Sequence, residues 1–349
     1  TGSEPEGASL VEVVVKMRVL DPDRLLIQIV ENRSLAWGHL ERVADHLAPF
    51  YRRQREQGQR DRQIRRWGDP EVIRGNAEEN FQQTERFVGT ILDRVTFDAV
   101  RYYSGQFVTR FRPLLVRRQV EGRSVDGHGD LHLEHICLNQ KQICIYDCIE
   151  FTERFRCLDI ASDVAFLTMD LDGHGYTHLA NRFADRMAEQ LDDPDLVPLG
   201  DFYRCYRAWV RGKVKSFESR EIPMSEEGHQ QAADQARAYF KLSLKYALFG
   251  SVPTLLVMTG RVASGKSSLA EGMADLLGCR YYSSDRLRKS SAGLSPDEVT
   301  PSDIRVSLYT DEMRRRIYQR LSDLASDELE SGRPVILDAT FGDRRHRQR

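Results

Sequence analysis

Hydrophobic positions change their spacing several times along the chain, and each change marks an element. Val11–Val19, with Val13, Val14 and Val15 in a row, predicts a strand. From Ser34 the spacing changes: Leu40, Val43, Ala44, Leu47 and Tyr51 recur at three and four, the stripe of an amphipathic helix. Asp69-Pro70 supplies a cap and a proline at the first helical position, so a helix is expected to run through about Phe81. Helical spacing continues through Phe87, Val88, Ile91, Leu92 and Val95, then Val100, Phe107, Phe111 and Leu114, until Gly122. Residues 135–147 read as a hairpin, Ile136–Leu138 and Gln142–Tyr146 around an Asn139-Gln140-Lys141 turn. Asp159 is placed to cap another helix, and helical text runs from Leu199 to about Tyr246.

Gly250-Ser251-Val252-Pro253 breaks the pattern, which then restarts in a different style. Thr254–Met258 is a short apolar run followed by a glycine-bearing loop and a helix over Ser267–Leu277. Arg280–Tyr282 and Pro334–Leu337 read as further strands, with a long helix over Arg305–Glu330 between them. Strands alternating with helices predict a parallel sheet. The expected fold class is α/β multidomain, with a mostly helical domain over residues 1–248 and an α/β domain over 254–349.

The length of 349 residues allows two or three domains, and 40% hydrophobic with 30% charged residues fits a folded globular chain. Because 51 basic side chains face 53 acidic ones, the net charge is −2, which argues against a generally basic nucleic-acid binder. Arg52, Arg53, Arg55, Arg60, Arg62, Arg65 and Arg66 do form a basic stretch, but acids interrupt it and no aromatic ladder accompanies it. A solvated helix end is the better reading. No apolar run approaches membrane-spanning length and no secretory leader pattern opens the sequence, so no membrane partner is expected. The chain starts at Thr1 and stops in mid-pattern at Arg349, so further residues are expected at both ends. Four of the six cysteines (Cys137, Cys144, Cys148 and Cys157) fall close together, yet their gaps of seven, four and nine lack any C-x-x-C. Buried reduced thiols in a reducing cytoplasm fit better than zinc.

Residues 260–267 spell Gly-Arg-Val-Ala-Ser-Gly-Lys-Ser, a complete G-x-x-x-x-G-K-[ST] phosphate loop between an apolar strand and a helix. Backbone N–H groups of Gly260, Arg261, Val262, Ala263, Ser264 and Gly265, with Ser268 just beyond, are expected to surround a nucleotide phosphate. Lys266 would reach the β/γ-phosphates and the Ser267 hydroxyl would ligate Mg²⁺. Asp285 follows the second strand and is a candidate for chemistry at the acceptor. Asp338 ends the third strand and is a candidate metal or phosphate-loop partner. This segment resembles the small P-loop kinases of the AAA-type predicted kinase branch. The resemblance implies ATP and Mg²⁺, and an arginine-bearing lid in a distal part beyond Arg349.

Residues 128–135 read His-Gly-Asp-Leu-His-Leu-Glu-His, and Ile145-Tyr146-Asp147 follows the hairpin. A phosphotransferase needs one carboxylate to orient the acceptor hydroxyl and others to hold metal, roles that Asp130 and Asp147 could fill. The loop resembles that of the aminoglycoside phosphotransferase family, H-G-D-x-H-x-x-N. The match carries His128, Gly129, Asp130 and His132 directly and Asp147 by position. His135 departs from it, standing where the family has Asn as a metal ligand, and imidazole is a poor ligand for Mg²⁺. Asp159 and Asp163 also resemble the family and are expected to cap and support the loop. Val13-Val14-Val15-Lys16-Met17 looks like a phosphate-lysine strand, but too few residues precede it for a glycine-rich hairpin. It is better read as the strand entering the hinge of a kinase-like fold whose first lobe is largely missing from the chain.

Together with Gly68–Arg74 and Glu78–Phe81, these features resemble the bacterial two-domain proteins labelled bifunctional aminoglycoside phosphotransferase/ATP-binding protein. The resemblance implies an ATP-dependent kinase acting on a small-molecule hydroxyl. A nucleotide-switched regulator with a pseudokinase lobe and a polynucleotide-end kinase remain as alternatives, and neither motif identifies the acceptor or the oligomeric state.

Overall fold

The computed structural model describes residues 19–139, 142–260, 264–295, 298, 301 and 308–341. The expected strand at Val11–Val19 and its Lys16 lie almost wholly outside these residues, as do the tip of the 139–141 turn and Arg305.

Helices dominate up to residue 249. The stripe that begins at Leu40 builds α2 (Trp37–Arg60), which buries Leu40, Val43, Ala44, Leu47 and Tyr51; a shorter α1 (Leu26–Glu31) precedes it. After the four-residue α3 (Arg62–Arg65), Asp69 caps α4 (Pro70–Thr84) by accepting from Glu71 N at 2.8 Å. Helix α5 (Arg94–Arg110) and α6 (Arg112–Val120) follow. The expected single stretch from Leu199 to Tyr246 is two helices, α10 (Leu196–Glu221) and α11 (Glu226–Phe249). Pro223 lies in the break, where its missing N–H and its ring oppose helix continuation, and Ser225 caps the second helix. Between α6 and α10 lie α7 (Glu153–Arg156), α8 (Ile160–Gly173) and α9 (Thr177–Gln190).

Helix α8 is the axis of this region. Every residue from Ile160 to Asp172 is buried, so it is surrounded on all sides rather than on one stripe. One core joins α2, α8, α9 and the start of α10. A second, around Phe81, Phe97, Trp209 and Phe240, joins α4, α5, α10 and α11.

Two short antiparallel pairs are set into the helical mass. Strand β1 (Ser124–Asp126) pairs with β4 (Cys157–Asp159), and β2 (Ile136–Leu138) pairs with β3 (Ile143–Ile145), with Cys137 opposite Cys144. The loop 127–135 therefore leaves one pair and enters the other. At the junction, Arg118 is 1% exposed and forks onto Asp159 (2.8 and 2.7 Å) and Asp193 (2.6 and 3.0 Å), so its charge is shared between two buried carboxylates.

The second region is built on three parallel strands in the order β5–β7–β6: β5 (Leu255–Met258), β6 (Arg280–Ser283) and β7 (Val335–Asp338). Helices α12 (Lys266–Leu277), α13 (Ser284–Ser291) and α14 (Asp311–Glu330) connect them, with Thr310 capping α14. Alternation along β7 divides its contacts. Val335 and Leu337 face Leu321 and Ala325 of α14, whereas Ile336 faces Ala270 and Ala274 of α12. Leu255 and Val257 of β5 are exposed. Leu277 joins the second helical core, His178 donates to Glu330 O at 2.7 Å and Lys241 to Asp275 O at 3.0 Å.

Among the described residues no helix is long and apolar enough to cross a membrane. All six cysteines are free. Cys144 and Cys148 are exposed, contrary to the expectation of buried thiols: Cys144 points to the uncovered side of the half-covered β3, and Cys148 lies in the irregular segment beyond it. Burial pushes the Cys157 thiol up to about 11 and the Cys205 thiol up to about 12.

Candidate functional site

Asp163, in the first turn of α8, organises the His128–His135 loop from behind. It is fully buried, and its carboxylate accepts from His128 N (2.8 Å), Gly129 N (2.9 Å) and the Tyr51 hydroxyl (3.0 Å). Burial and the adjoining Asp163 raise the Tyr51 phenol well above its ordinary range, which keeps it a donor. Arg207 of α10 completes the frame, donating to Gly129 O at 2.8 Å and to Ser162 Oγ at 3.1 Å beneath the Phe166 ring. Gly129 has φ +81°, and a Cβ there would come within 2.6 Å of Phe155 O, so both dihedral and space demand glycine. Asp159 caps α8 by accepting from Ala161 N at 2.8 Å.

These anchors fix the side chains in front. His128 donates from Nε2 to Tyr146 O (2.8 Å) and accepts at Nδ1 from Asp130 N (3.2 Å), a self-consistent neutral tautomer. Asp130 turns a half-exposed carboxylate outward, with Oδ2 3.4 Å from His132 Nε2 and 3.6 Å from His135 Nδ1. Burial works against its ionised form, but the bond from His132 and the charges of His132, His135 and Arg207 prevail, holding it below the usual carboxylate range. His135 donates from Nδ1 to Asp130 O at 2.9 Å, and its Nε2 lies 3.3 Å from Asp147 Oδ2. Burial, then the neighbouring His132, push the His135 imidazole down. Asp147 is exposed and sits at φ +61°, a left-handed conformation that Asp tolerates better than most residues. Leu133 N is tied to Asp170 Oδ2 at 3.0 Å, which pins the loop to α8 a second time.

The phosphate loop stands at the carboxyl edge of the parallel sheet. Gly265, at φ +79°, is the N-cap of α12, and a side chain would resist that turn. Ser267 donates to Asp338 Oδ2 at 2.6 Å, Tyr281 donates to the same oxygen at 3.0 Å, and Lys266 Nζ lies 3.9 Å from Asp338 Oδ1. Asp338 is 3% exposed, and its Oδ1 has no hydrogen-bond partner among the described residues. Register explains the meeting, since Met258 and Ser283 both pair with Asp338, so all three strands end at this level. Gly260, Ser264 and Ser268 lie on the exposed side; Arg261, Val262 and Ala263 are outside the described residues.

Asp285 is held otherwise. Arg288 (3.4 Å), Lys289 (3.4 Å) and the Tyr309 hydroxyl (3.3 Å) surround its carboxylate, and Ser283 rather than Asp285 caps α13.

Sequence reading missed Tyr51, Arg207, Asp170 and Tyr281. The first two carried a signal: a tyrosine ends the apolar stripe of α2, and an arginine occupies a buried position of α10.

Residues 255–349 match the family model described as AAA domain. An uncharacterized protein of Mycobacterium bovis and two of Mycobacterium tuberculosis are each 31% identical over 341 residues, 98% of this chain. The chain spans 66% of the length of these relatives. No solved structure matches. The segment from residue 255 thus carries a P-loop nucleotide-binding domain of the AAA type.

Proposed function

We propose that the protein is an ATP-dependent phosphotransferase that passes the γ-phosphoryl group to a hydroxyl of a small molecule. We further propose that its helical region is an aminoglycoside phosphotransferase-like lobe carrying a second phosphate-transfer site. The observation that carries the reading is the meeting of Lys266, Ser267 and Asp338 at one edge of the parallel sheet. Lys266 supplies a positive charge for the β/γ-phosphates, and the exposed N-terminus of α12 supplies oriented N–H groups. The Ser267 hydroxyl and Asp338 Oδ1, which faces Lys266 but accepts no hydrogen bond among the described residues, are hard oxygen donors and fit Mg²⁺, which would neutralise phosphate charge there. Tyr281 and Ser267 hold the Asp338 carboxylate in place before nucleotide arrives. Asp285 is the candidate on this domain for orienting the acceptor, with Arg288 and Lys289 each 3.4 Å from its carboxylate.

In the helical region Asp130 is the candidate to orient an acceptor hydroxyl and take its proton. It is reachable from solvent, held ionised, and fixed at its backbone by His128. His135 and Asp147 do not suit Mg²⁺ as a pair, because one of the two donors is an imidazole nitrogen. That mismatch favours a second reading, a regulatory lobe that transfers no phosphate while the P-loop domain binds nucleotide. Among the described residues nothing at either site specifies an aminoglycoside or a nucleic-acid end.

The test is ATP consumption by the natural full-length protein against a panel of hydroxyl metabolites and 5′-hydroxyl oligonucleotides. In a Lys266→Ala background, Asp130→Ala is expected to lower the remaining turnover by about 10²–10⁴-fold, the range of general-base catalysis. Equal product formation with and without Asp130 would assign the helical lobe to the regulatory reading.

A further inference from the structure

Helices α8, α9 and α10 enclose a cavity of about 200 Å³ together with Ser251 and Val252, the link that runs into β5. Its apolar lining comes from Ala161, Val164 and Ala165 of α8 and from Leu196 and Val197 of α10. Arg204, Thr168 and Asn181 present polar groups to it, and Asp185, which is exposed, is the one acid among the lining residues. An apolar cavity of about 150 Å³ takes up benzene, so this space suits a ligand of roughly six to nine heavy atoms.

Arg204 is 3% exposed, and its surroundings do not match its charge. Nε donates to the Thr168 hydroxyl at 2.9 Å and Nη1 to Asn181 Oδ1 at 2.8 Å, both neutral acceptors. These partners are fixed in turn, since Thr168 donates to Val164 O (3.0 Å) and Asn181 Nδ2 to Ser251 O (3.1 Å). Among the described residues Nη2 has no hydrogen-bond partner, and no carboxylate lies within 4 Å of the guanidinium. Asp201, one turn earlier on α10, lies against Gly250, and Asp172 is taken by Lys245 and Tyr246. The equally buried Arg118, by contrast, is shared between two carboxylates. A guanidinium cannot shed its proton in a protein, so the cost of burying this charge falls to whatever faces it.

We propose that this cavity binds a small monocarboxylate with an apolar body, its carboxylate on Arg204 and its body against α8 and α10. The anion gives the buried guanidinium the counter-charge it lacks, through a charge-assisted hydrogen bond from Nη2. The apolar lining removes the rest of the ligand from water. Asp185 opposes a second negative charge, which limits the ligand to one carboxylate. The cavity shares no lining residue with either phosphate-transfer loop, and the inference does not rest on phosphate transfer.

The probe is benzoate, titrated by calorimetry into the natural full-length protein, with benzamide as an uncharged ligand of the same size. One equivalent of benzoate is expected to bind, and benzamide about 10-fold more weakly or worse, the difference between hydrogen bonding to a charged and to a neutral group. Arg204→Gln should remove that preference, so that the two ligands bind alike. Gly200 of α10 also lines the cavity, and a Cβ there would meet nothing within 4 Å. Gly200→Leu is therefore expected to fold, since leucine also favours a helix more than glycine does, and to abolish binding of both ligands by filling the space. Far-UV circular dichroism checks that both variants fold. Where Arg204→Gln does not, the benzoate–benzamide comparison in the wild type and the Gly200→Leu titration still decide. Three results would each overturn the proposal: no saturable benzoate binding to the wild type, benzamide binding as tightly as benzoate, or benzoate affinity unchanged by Gly200→Leu. The first of these is what a purely structural Arg204 predicts, and the last would place the benzoate elsewhere, as at the lysine of the phosphate loop.

Discussion

Behind the His128–His135 loop stand a buried carboxylate, a buried guanidinium and a buried phenol, each bonded to the loop backbone or to another of the three. Behind the Gly260–Ser267 loop stands a sheet described by three strands, one with Leu255 and Val257 exposed, and two small clusters that meet across β7. The first loop is held by side chains from distant helices, α2, α8 and α10. The second is held by its own strand and helix, with Asp338 as the main tertiary tie. The first arrangement makes loop geometry depend on the whole helical core. The second lets the phosphate loop be specified by a local motif.

The contrast can be broken at Asp163. Asp163→Ala leaves Tyr51, His128 N and Gly129 N without their acceptor and Arg207 without a nearby counter-charge. The expected loss is about 3–5 kcal/mol, the cost of breaking a buried ionic group by removing one partner. Urea unfolding monitored by circular dichroism checks this. A loss under about 1 kcal/mol, the scale of a surface pair, would mean the frame is dispensable.

A smaller effect separates the regions along the chain. Limited proteolysis is expected to cut near Gly250–Pro253, at the junction of α11 and β5, and to degrade the C-terminal piece first. Mass spectrometry of the digest over time decides the order, and a C-terminal piece that outlasts the helical one would reverse the comparison.

The smallest effect is on pH dependence. Asp172 lies at the far end of α8. Burial there opposes its charge, but Lys245 (2.9 Å), Thr177 (2.5 Å) and Tyr246 (2.5 Å) overcome that and lower its pKa. A depressed folded-state pKa adds stability that is complete above the unfolded value of about 3.9 and is lost as pH falls through the folded value. The urea midpoint of the helical region should therefore fall on acidification below about pH 4, the unfolded carboxylate range. Asp172→Asn should flatten that acid limb while lowering the plateau at neutral pH. An identical acid limb in the variant would remove Asp172 from the account.

How much of this was legible in the sequence follows the same division. The phosphate loop was readable residue by residue, because its chemistry needs fixed types at fixed spacing and its strand and helix are adjacent in the chain. The His128–Asp130 loop was also readable, and Asp163 was anticipated as its support. Tyr51 and Arg207 were not, since their roles depend on helices meeting from 112 and 45 residues away. Strands β1 and β4 went unread for a similar reason. At three residues each they carry no periodicity, and only their pairing across the intervening loop defines them. The break between α10 and α11 was legible in Pro223 and Ser225, but a continuous apolar spacing on both sides masked it. The position of His135 was visible from sequence; its carbonyl and carboxylate neighbours, which decide its chemistry, came only with the fold.

The central claim is that the loop at Gly260–Ser267 binds nucleotide through Lys266 with Asp338 behind it. It is tested most directly by equilibrium binding of ATP with Mg²⁺ to the natural full-length protein and to its Lys266→Ala variant, read by calorimetry, with circular dichroism confirming the helical region in both. The account predicts that Lys266→Ala abolishes binding at this domain while the helical region unfolds at an unchanged urea concentration. ATP affinity at the C-terminal domain unaltered by Lys266→Ala would contradict it.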